Sequence, residues 1–282
     1  MSFPKVRDYH KPEHPLTPNS YGIFYALISV CYWFALSLLG IMRENALALS
    51  TSVLFGSTMG LFDDMVDLPW RYKAILPIFA AMPYVVLNPS DRFAINIPFL
   101  GIINLGTHFF MLLVPIIVTV TTNTYNQLGG LNGLESLSGL IILIGLTLTS
   151  GTFILMLVPI ICLSILGFFS YAGKLFIGNV GTFSIGLTLA VYSILMNLKL
   201  FLLISLFPFM LNSFLILFSI FFLHEKPDTF LDENGLLFSN KVRSLRTLII
   251  RYKRFSEHQT VIIICFITAF FTTLAFIQQK IL

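Results

Sequence analysis

Nine stretches of this chain are apolar for long enough to cross a lipid bilayer, a crossing that takes about 20 residues of helix. They run approximately over 21–42, 45–62, 74–89, 105–122, 134–150, 152–170, 181–198, 200–223 and 260–279. Hydrocarbon offers no water to pair with backbone N–H and C=O groups, so such stretches are expected to be helices. Ser150-Gly151-Thr152 supplies the turn that splits the 134–170 block in two. What lies between the runs is too short for a separate soluble domain. Only 11% of the residues are charged, against roughly 25% in a soluble domain, and the mean hydropathy is +0.88. A soluble enzyme, a disordered chain and a disulfide scaffold are excluded. The expected fold is all-α, one polytopic membrane domain over 1–282. Cys31, Cys162 and Cys265 all fall inside apolar runs and form no CxxC pair, which makes them packing residues. The first twenty residues are polar and Pro-rich, so no cleavable signal peptide is expected.

Lys and Arg mark the loops that stay in the cytosol. With nine spans, the N-terminus and the segments 63–73, 123–133, 171–180 and 224–259 share one side. Of the 17 Lys and Arg, only Arg43, Arg92, Lys199 and Lys280 fall on the other side. The basic-rich side is therefore expected to be cytosolic. Its longest segment, 224–259, ends in KVRSLRTLIIRYKR, where Leu245, Leu248 and Ile249 recur at helical spacing. The plain expectation is an amphipathic helix on the inner leaflet; the sharper one is a hold on anionic substrate. No internal repeat is found, and the polar motifs sit at span ends rather than at midplane. That argues against a carrier and for chemistry at the membrane surface.

Three of the cytosolic loops hold the chemistry-bearing residues. The first reads LFDDMVDLPWRYK. Asp63 and Asp67 are four apart and would share a helix face, with Asp64 beside them. Carboxylates at a membrane edge are costly unless used, and near a phosphate they can hold Mg²⁺ or take a proton. Trp70 suits an interfacial anchor, and Lys73 brings a cation to the next span. The second loop, TTNTYNQLGGLNGLESL, sets Asn123 and Asn126 three apart, then Gly129 and Gly130, then Asn132 and Glu135. Amides with glycines that allow close backbone approach suit a nucleotide or phosphate. The third, FSYAGKLFIGNVGTFSIG, groups Lys174, Phe176, Gly178, Asn179 and Gly181, which fits base stacking and a metal contact. Asn-rich turns and Gly-rich loops are ordinary singly; their combination is more specific. His10, His14, His108 and His258 are expected to have no catalytic role.

FDDMVDLPWRYK, NTYNQLGGLNGLE and KLFIGNVGT, in that order, resemble the motifs of the polyprenyl-phosphate N-acetylhexosamine-1-phosphate transferase superfamily (glycosyltransferase family 4). Gly130-Leu131-Asn132-Gly133-Leu134-Glu135 looks like the GINGLE form of its eukaryotic and archaeal branch, the UDP-GlcNAc:dolichyl-phosphate GlcNAc-1-phosphotransferases, rather than the bacterial DGxDGL. Thr17-Pro18-Asn19-Ser20-Tyr21-Gly22 resembles that branch's PES-x-G segment. The likeness covers nearly the whole chain. It implies transfer of GlcNAc-1-phosphate from UDP-GlcNAc to a dolichyl or polyprenyl phosphate, with UMP leaving, as the first lipid-linked step of N-glycosylation. It implies Mg²⁺ as cofactor, held by Asn126 and Asn179, and Lys73 as the cation at the phosphate oxygens. Asp63 or Asp64 would deprotonate or orient the lipid phosphate, a covalent intermediate being left open. Phe176 and Asn132 would hold the uracil. Asn19, Asp67, Asn123, Gly130 and His224 would contribute to substrate binding, and Trp70 would border the isoprenoid groove. The implied partners are UDP-GlcNAc, the lipid phosphate and the bilayer, with no nucleic acid and a homodimer left open. An archaeal cell membrane is favoured over the ER.

The chain departs from that pattern in three places. The family has ten helices, and this sequence begins in the loop after the first, so nine are expected. The third motif has Asn179 where the family has the Asp used for the metal. The 224–259 segment opens His224-Glu225-Lys226-Pro227-Asp228 where the family has HxxPR, so an acid replaces the Arg. Asp228 could return the carboxylate missing at 179. The alternatives are a bacterial-type transferase using undecaprenyl phosphate and a degenerate member that binds lipid phosphate without turnover.

Overall fold

Helix dominates the described chain, which comprises residues 3–87, 94–97, 101–104, 106–224 and 229–281 of a computed structural model. In order come α1 (Gly22–Leu38), α2 (Arg43–Val66), α3 (Trp70–Ile75), α4 (Pro77–Leu87), α5 (Gly106–Gln127), α6 (Leu134–Ser150), α7 (Phe153–Tyr171), α8 (Gly178–Leu195), α9 (Lys199–Ser205), α10 (Phe207–Phe222), α11 (Leu245–Ile250) and α12 (Glu257–Ile281). Three small antiparallel hairpins modify the all-α expectation: β1 (Lys5–Arg7) with β2 (Leu16–Pro18), β3 (Ala94–Ile97) with β4 (Gly101–Asn104), and β5 (Phe230–Leu231) with β6 (Leu237–Phe238). In the first, Lys5 pairs with Pro18 and Arg7 with Leu16.

Among the described residues, α2, α5, α7, α8 and α12 are long and apolar enough to cross a membrane. The helices α9 and α10, bent by 59° at their junction, add a sixth if counted as one broken span. Pro208 sits in the first turn of α10, where its missing N–H costs nothing, so a new helix starts there in a new direction. The helices α1 and α6 are apolar but have only 17 residues each. The expected run 74–89 falls on α3 and α4, and its end lies outside the described residues. These lengths establish a polytopic membrane protein without reproducing nine full-length spans.

Several motif residues sit on helix ends rather than in loops, while Gly130, Asn132 and Phe176 stay in the connections. The helix α2 continues through Asp63 and Asp64, α5 continues through Asn123 and Asn126, and α8 already includes Asn179. Hydropathy marks where hydrocarbon stops, whereas a helix runs on for as long as its backbone ladder is satisfied.

The helix α8 is the centre of the bundle. Every residue from Val180 to Ile194 is buried, and α1, α2, α5 and α6 pack around it. Gly181, Ser184, Gly186 and Ala190 let those neighbours approach closely, as small residues do between membrane helices. A methyl group on Gly60 of α2 would stand 2.6 Å from Asn179 O. Hydrogen bonds add to the packing: Trp33 Nε1 donates to Leu155 O at 2.7 Å, and the Tyr25 hydroxyl donates to Thr188 Oγ1 at 3.0 Å.

The basic run does not form the amphipathic leaflet helix. Only α11 is helical, started by a reciprocal cap between Ser244 and Thr247. Leu245 and Ile250 are buried, and Leu245 N donates to Asn212 Oδ1 of α10 at 2.9 Å. The short helix is packed onto the bundle. Asp232 anchors the preceding hairpin through Arg254 at 2.9 Å, and the backbone N–H groups of Asn234 and Leu236 hold its carboxyl below the usual carboxylate range together with that arginine.

Candidate active site

Asp64 stands at the N-terminus of α8. Its Oδ1 accepts from Asn179 N at 2.7 Å and its Oδ2 from Val180 N at 3.2 Å. First-turn N–H groups have no partner within their own helix, and a carboxylate there also meets the positive end of the helix dipole. Gly178 makes the approach feasible: its φ is +68°, and a side chain on it would collide with the Asp64 carboxylate. This is a specific reason for the glycine of the third motif.

An open polar cleft of about 340 Å³ surrounds this junction. Six of the expected site residues line it: Asn19, Asp64, Asn126, Gly130, Phe176 and Asn179. The N-terminal arm contributes Val6 to His10, and Glu135 and Thr182 complete the walls. The arm is fixed by its backbone, Phe176 N donating to Pro18 O at 2.8 Å and Gly22 N to Ile177 O at 2.9 Å. Asn126 Oδ1 accepts from the Thr182 hydroxyl, which also lies 3.2 Å from Asn179 O.

A second cluster forms at the corner between α2 and α3. Lys73 Nζ lies 2.8 Å from Asp63 Oδ1 and 3.2 Å from Asp67 Oδ1. Leu68 N also donates to Asp63 Oδ1, at 2.9 Å, while Asp63 Oδ2 is buried without a partner among the described residues. Burial works to lower the Lys73 pKa, but Asp63 and Asp67 outweigh it and hold the ammonium above its ordinary value. Asn123 Nδ2 reaches Ala74 O at 3.3 Å. Asp63, Asp67, Lys73 and Asn123 thus adjoin the cleft without lining it. Trp70 is exposed, edge-on to Phe221 with Arg71 over its ring. His224 is exposed beyond the end of α10, and Asp228 lies outside the described residues.

Asn132 is not among the residues lining the cleft, but it bonds Asp8, which is. It is fully buried, and its Nδ2 donates to Asp8 Oδ2 at 2.7 Å and to Glu257 Oε1 at 2.9 Å, while its backbone N donates to Glu257 Oε1 at 2.7 Å. Asp8 also pairs with Lys11 at 3.2 Å. Asp8, His10 and Glu257 bring ligand atoms within 4.8 Å of one another, but the Asn132 amide and the Lys11 ammonium already engage the carboxylates. Sequence reasoning missed Asp8, Thr182 and Glu257, which no local spacing marks. It set His10 aside, yet His10 lines the cleft. Burial, then the nearby Arg246, lower its pKa to about 4 against the pull of Asp8, so it is neutral at pH 7.

The donors facing the cleft suit a hard divalent cation. Asn126 and Asn179 offer neutral carboxamides, and Asp64 supplies a carboxylate beside them. Few protein ligands, with the rest coming from water and substrate phosphates, is the usual pattern for Mg²⁺.

An apolar helical bundle that gathers such donors into a polar cleft at one end has the build of an integral membrane enzyme for phosphorylated substrates. The model of glycosyl transferase family 4 matches residues 46–197, from α2 through α8, and the chain belongs to this family. A Saccharolobus solfataricus protein assigned as a UDP-N-acetylglucosamine–dolichyl-phosphate N-acetylglucosaminephosphotransferase is 34% identical over 286 residues, covering 97% of this chain and 87% of its own. A Sulfolobus acidocaldarius protein with the same assignment is 33% identical, over 86% of this chain and 76% of its own. The Dictyostelium discoideum protein of that name is 28% identical, over 76% of this chain and 61% of its own.

Proposed function

We propose that this protein transfers GlcNAc-1-phosphate from UDP-GlcNAc to a dolichyl or related polyprenyl phosphate, releasing UMP, at the cytosolic face of an archaeal cell membrane. The observation that carries this is the convergence of Asp64, Asn126 and Asn179 from α2, α5 and α8 on one cleft, in a chain similar along most of its length to proteins named for that reaction. The archaeal setting rests on the same two relatives, and the cytosolic face rests on the distribution of Lys and Arg.

In the proposed reaction an oxygen of the lipid phosphate attacks the β-phosphorus of UDP-GlcNAc. A new P–O bond forms, the bond from that phosphorus to the bridging oxygen breaks, and UMP leaves with the electron pair. Phosphoryl transfer of this kind depends on alignment and charge compensation. Asp64, fixed by two N–H groups of α8, orients the lipid phosphate or takes its proton. Lys73, on the next helix α3 and clamped by Asp63, supplies positive charge at the cleft's edge. Asn126 and Asn179 would hold Mg²⁺, which would offset the diphosphate charge. Phe176 and Gly130 offer a ring face and an open backbone for the nucleoside. An apolar hollow of about 320 Å³ between α5, α9 and α10 includes Thr124, two residues from Asn126, and suits an isoprenoid tail.

The test is direct. Purified protein in detergent, given UDP-GlcNAc, Mg²⁺ and dolichyl phosphate, should release UMP and form lipid-diphosphate-GlcNAc. Release of UMP without a lipid product, or no release at all with any polyprenyl phosphate, would refute the reading.

A further inference from the structure

Arg246 comes from α11, outside the three motifs, and its guanidinium stands behind the cleft wall formed by His10, Gly130 and Glu135. Nη1 lies 3.4 Å from His10 Nε2. It also lies 3.4 Å from the place a Cβ would take on Gly130. Gly130 is at φ +111°, and its N–H is fixed to Glu135 Oε1 at 2.8 Å. The missing side chain at 130 leaves a window between the cleft, which Gly130 lines, and the guanidinium directly behind it. Arg246 Nε is buried without a hydrogen-bond partner among the described residues, and the His10 contact is long for a hydrogen bond. A planar group with five donors is held here with most of them unused.

Resting on the nucleotide-sugar reading above, we infer that Arg246 is a substrate-contacting residue that donates through the Gly130 window to a carbonyl oxygen of the uracil base. A neutral carbonyl fits this place better than a phosphate. Glu135 and Glu257 act on Arg246 as opposing charges, so a phosphate here would face two acids. The diphosphate has its own counter-charge in Lys73 and in the Mg²⁺ that Asn126 and Asn179 would hold. His10, neutral and loosely held, can yield its contact to the base.

The experiment compares UMP with ribose 5-phosphate, which keeps the sugar and phosphate but lacks the base, as inhibitors of UMP-forming turnover and as ligands in thermal shift. For Arg246→Gln the UMP inhibition constant should rise about tenfold or more, as expected for a lost hydrogen bond to a charged donor. The constant for ribose 5-phosphate and the KM for dolichyl phosphate should stay within about twofold. Arg246→Lys, which keeps the charge but loses the planar fork, should fall between wild type and Arg246→Gln. If UMP and ribose 5-phosphate weaken together, Arg246 only supports the wall and the inference fails. It fails too if neither weakens. Wild-type protein that binds UMP but makes no lipid product would sink the transfer reading alone, because the UMP comparison still runs by thermal shift.

Discussion

Asp63 and Asp64 are chain neighbours on α2, turned about 100° apart by the helix, and each meets a different part of the molecule. Asp63 looks toward the α2–α3 corner, where Lys73 and Leu68 N engage one oxygen and protein encloses the other. Asp64 looks toward α8, where two backbone N–H groups hold it at the edge of open space. A buried charge neutralised by a lysine is occupied with holding that cation. A charge held by backbone dipoles keeps its capacity to meet a substrate. The adjacent pair thus divides into a residue that builds the site and one that faces it, a difference that two identical letters in a sequence do not carry.

The sharpest way to break this comparison is to neutralise each member. Asp64→Asn should cut UMP release at least about 100-fold, within the range for a lost general base, with little change in thermal stability. Asp63→Asn should instead lower stability and cost turnover less. Equal losses of turnover at unchanged melting temperature would erase the distinction.

Next in size is Lys73→Gln. It leaves Asp63 buried and unpaired, and should destabilise by about 3 kcal/mol, the low end for breaking a buried pair, because Lys73 is itself 25% exposed. Adding Asp63→Asn should recover much of that loss in the double variant. Chemical denaturation in detergent measures both; additive losses would mean the two do not act as a pair.

On the Asp64 side, Asn179→Asp adds a carboxylate among the donors proposed for Mg²⁺. The Mg²⁺ concentration for half-maximal activity should fall, on the order of tenfold, since ligand charge tunes affinity. A superimposable titration would separate position 179 from the ion. The smallest effect belongs to Asp67→Asn. Its side chain is 97% exposed, so its bond to Lys73 should be worth no more than about 0.5 kcal/mol. A larger loss would extend the buried cluster to this exposed residue.

Much of this was legible beforehand, for identifiable reasons. Apolar runs locate helices because hydrocarbon imposes one backbone solution. Asp64, Asn126 and Asn179 were singled out because each sits in a compact polar motif at a span end, and the fold brings the three together. Asn132 stands out in its motif, but its partners Asp8 and Glu257, 124 and 125 residues away, cannot be read from local spacing. The bend between α9 and α10 and the packing of α11 on α10 depend on tertiary contacts that hydropathy does not encode. In the sequence Arg246 is one more charge in a basic run; only the fold sets it opposite Gly130.

The Asn132 contacts also bear on the order in which the protein is made. The Gly-rich turn before α6 is made well before α12, since 125 residues separate Asn132 from Glu257. Until α12 inserts, the Asn132 backbone N–H and side-chain amide lack the carboxylate that accepts from them. The wall that Asp8 brings to the cleft therefore waits for α12, which meets the N-terminal arm where Asn132 bonds both Asp8 and Glu257.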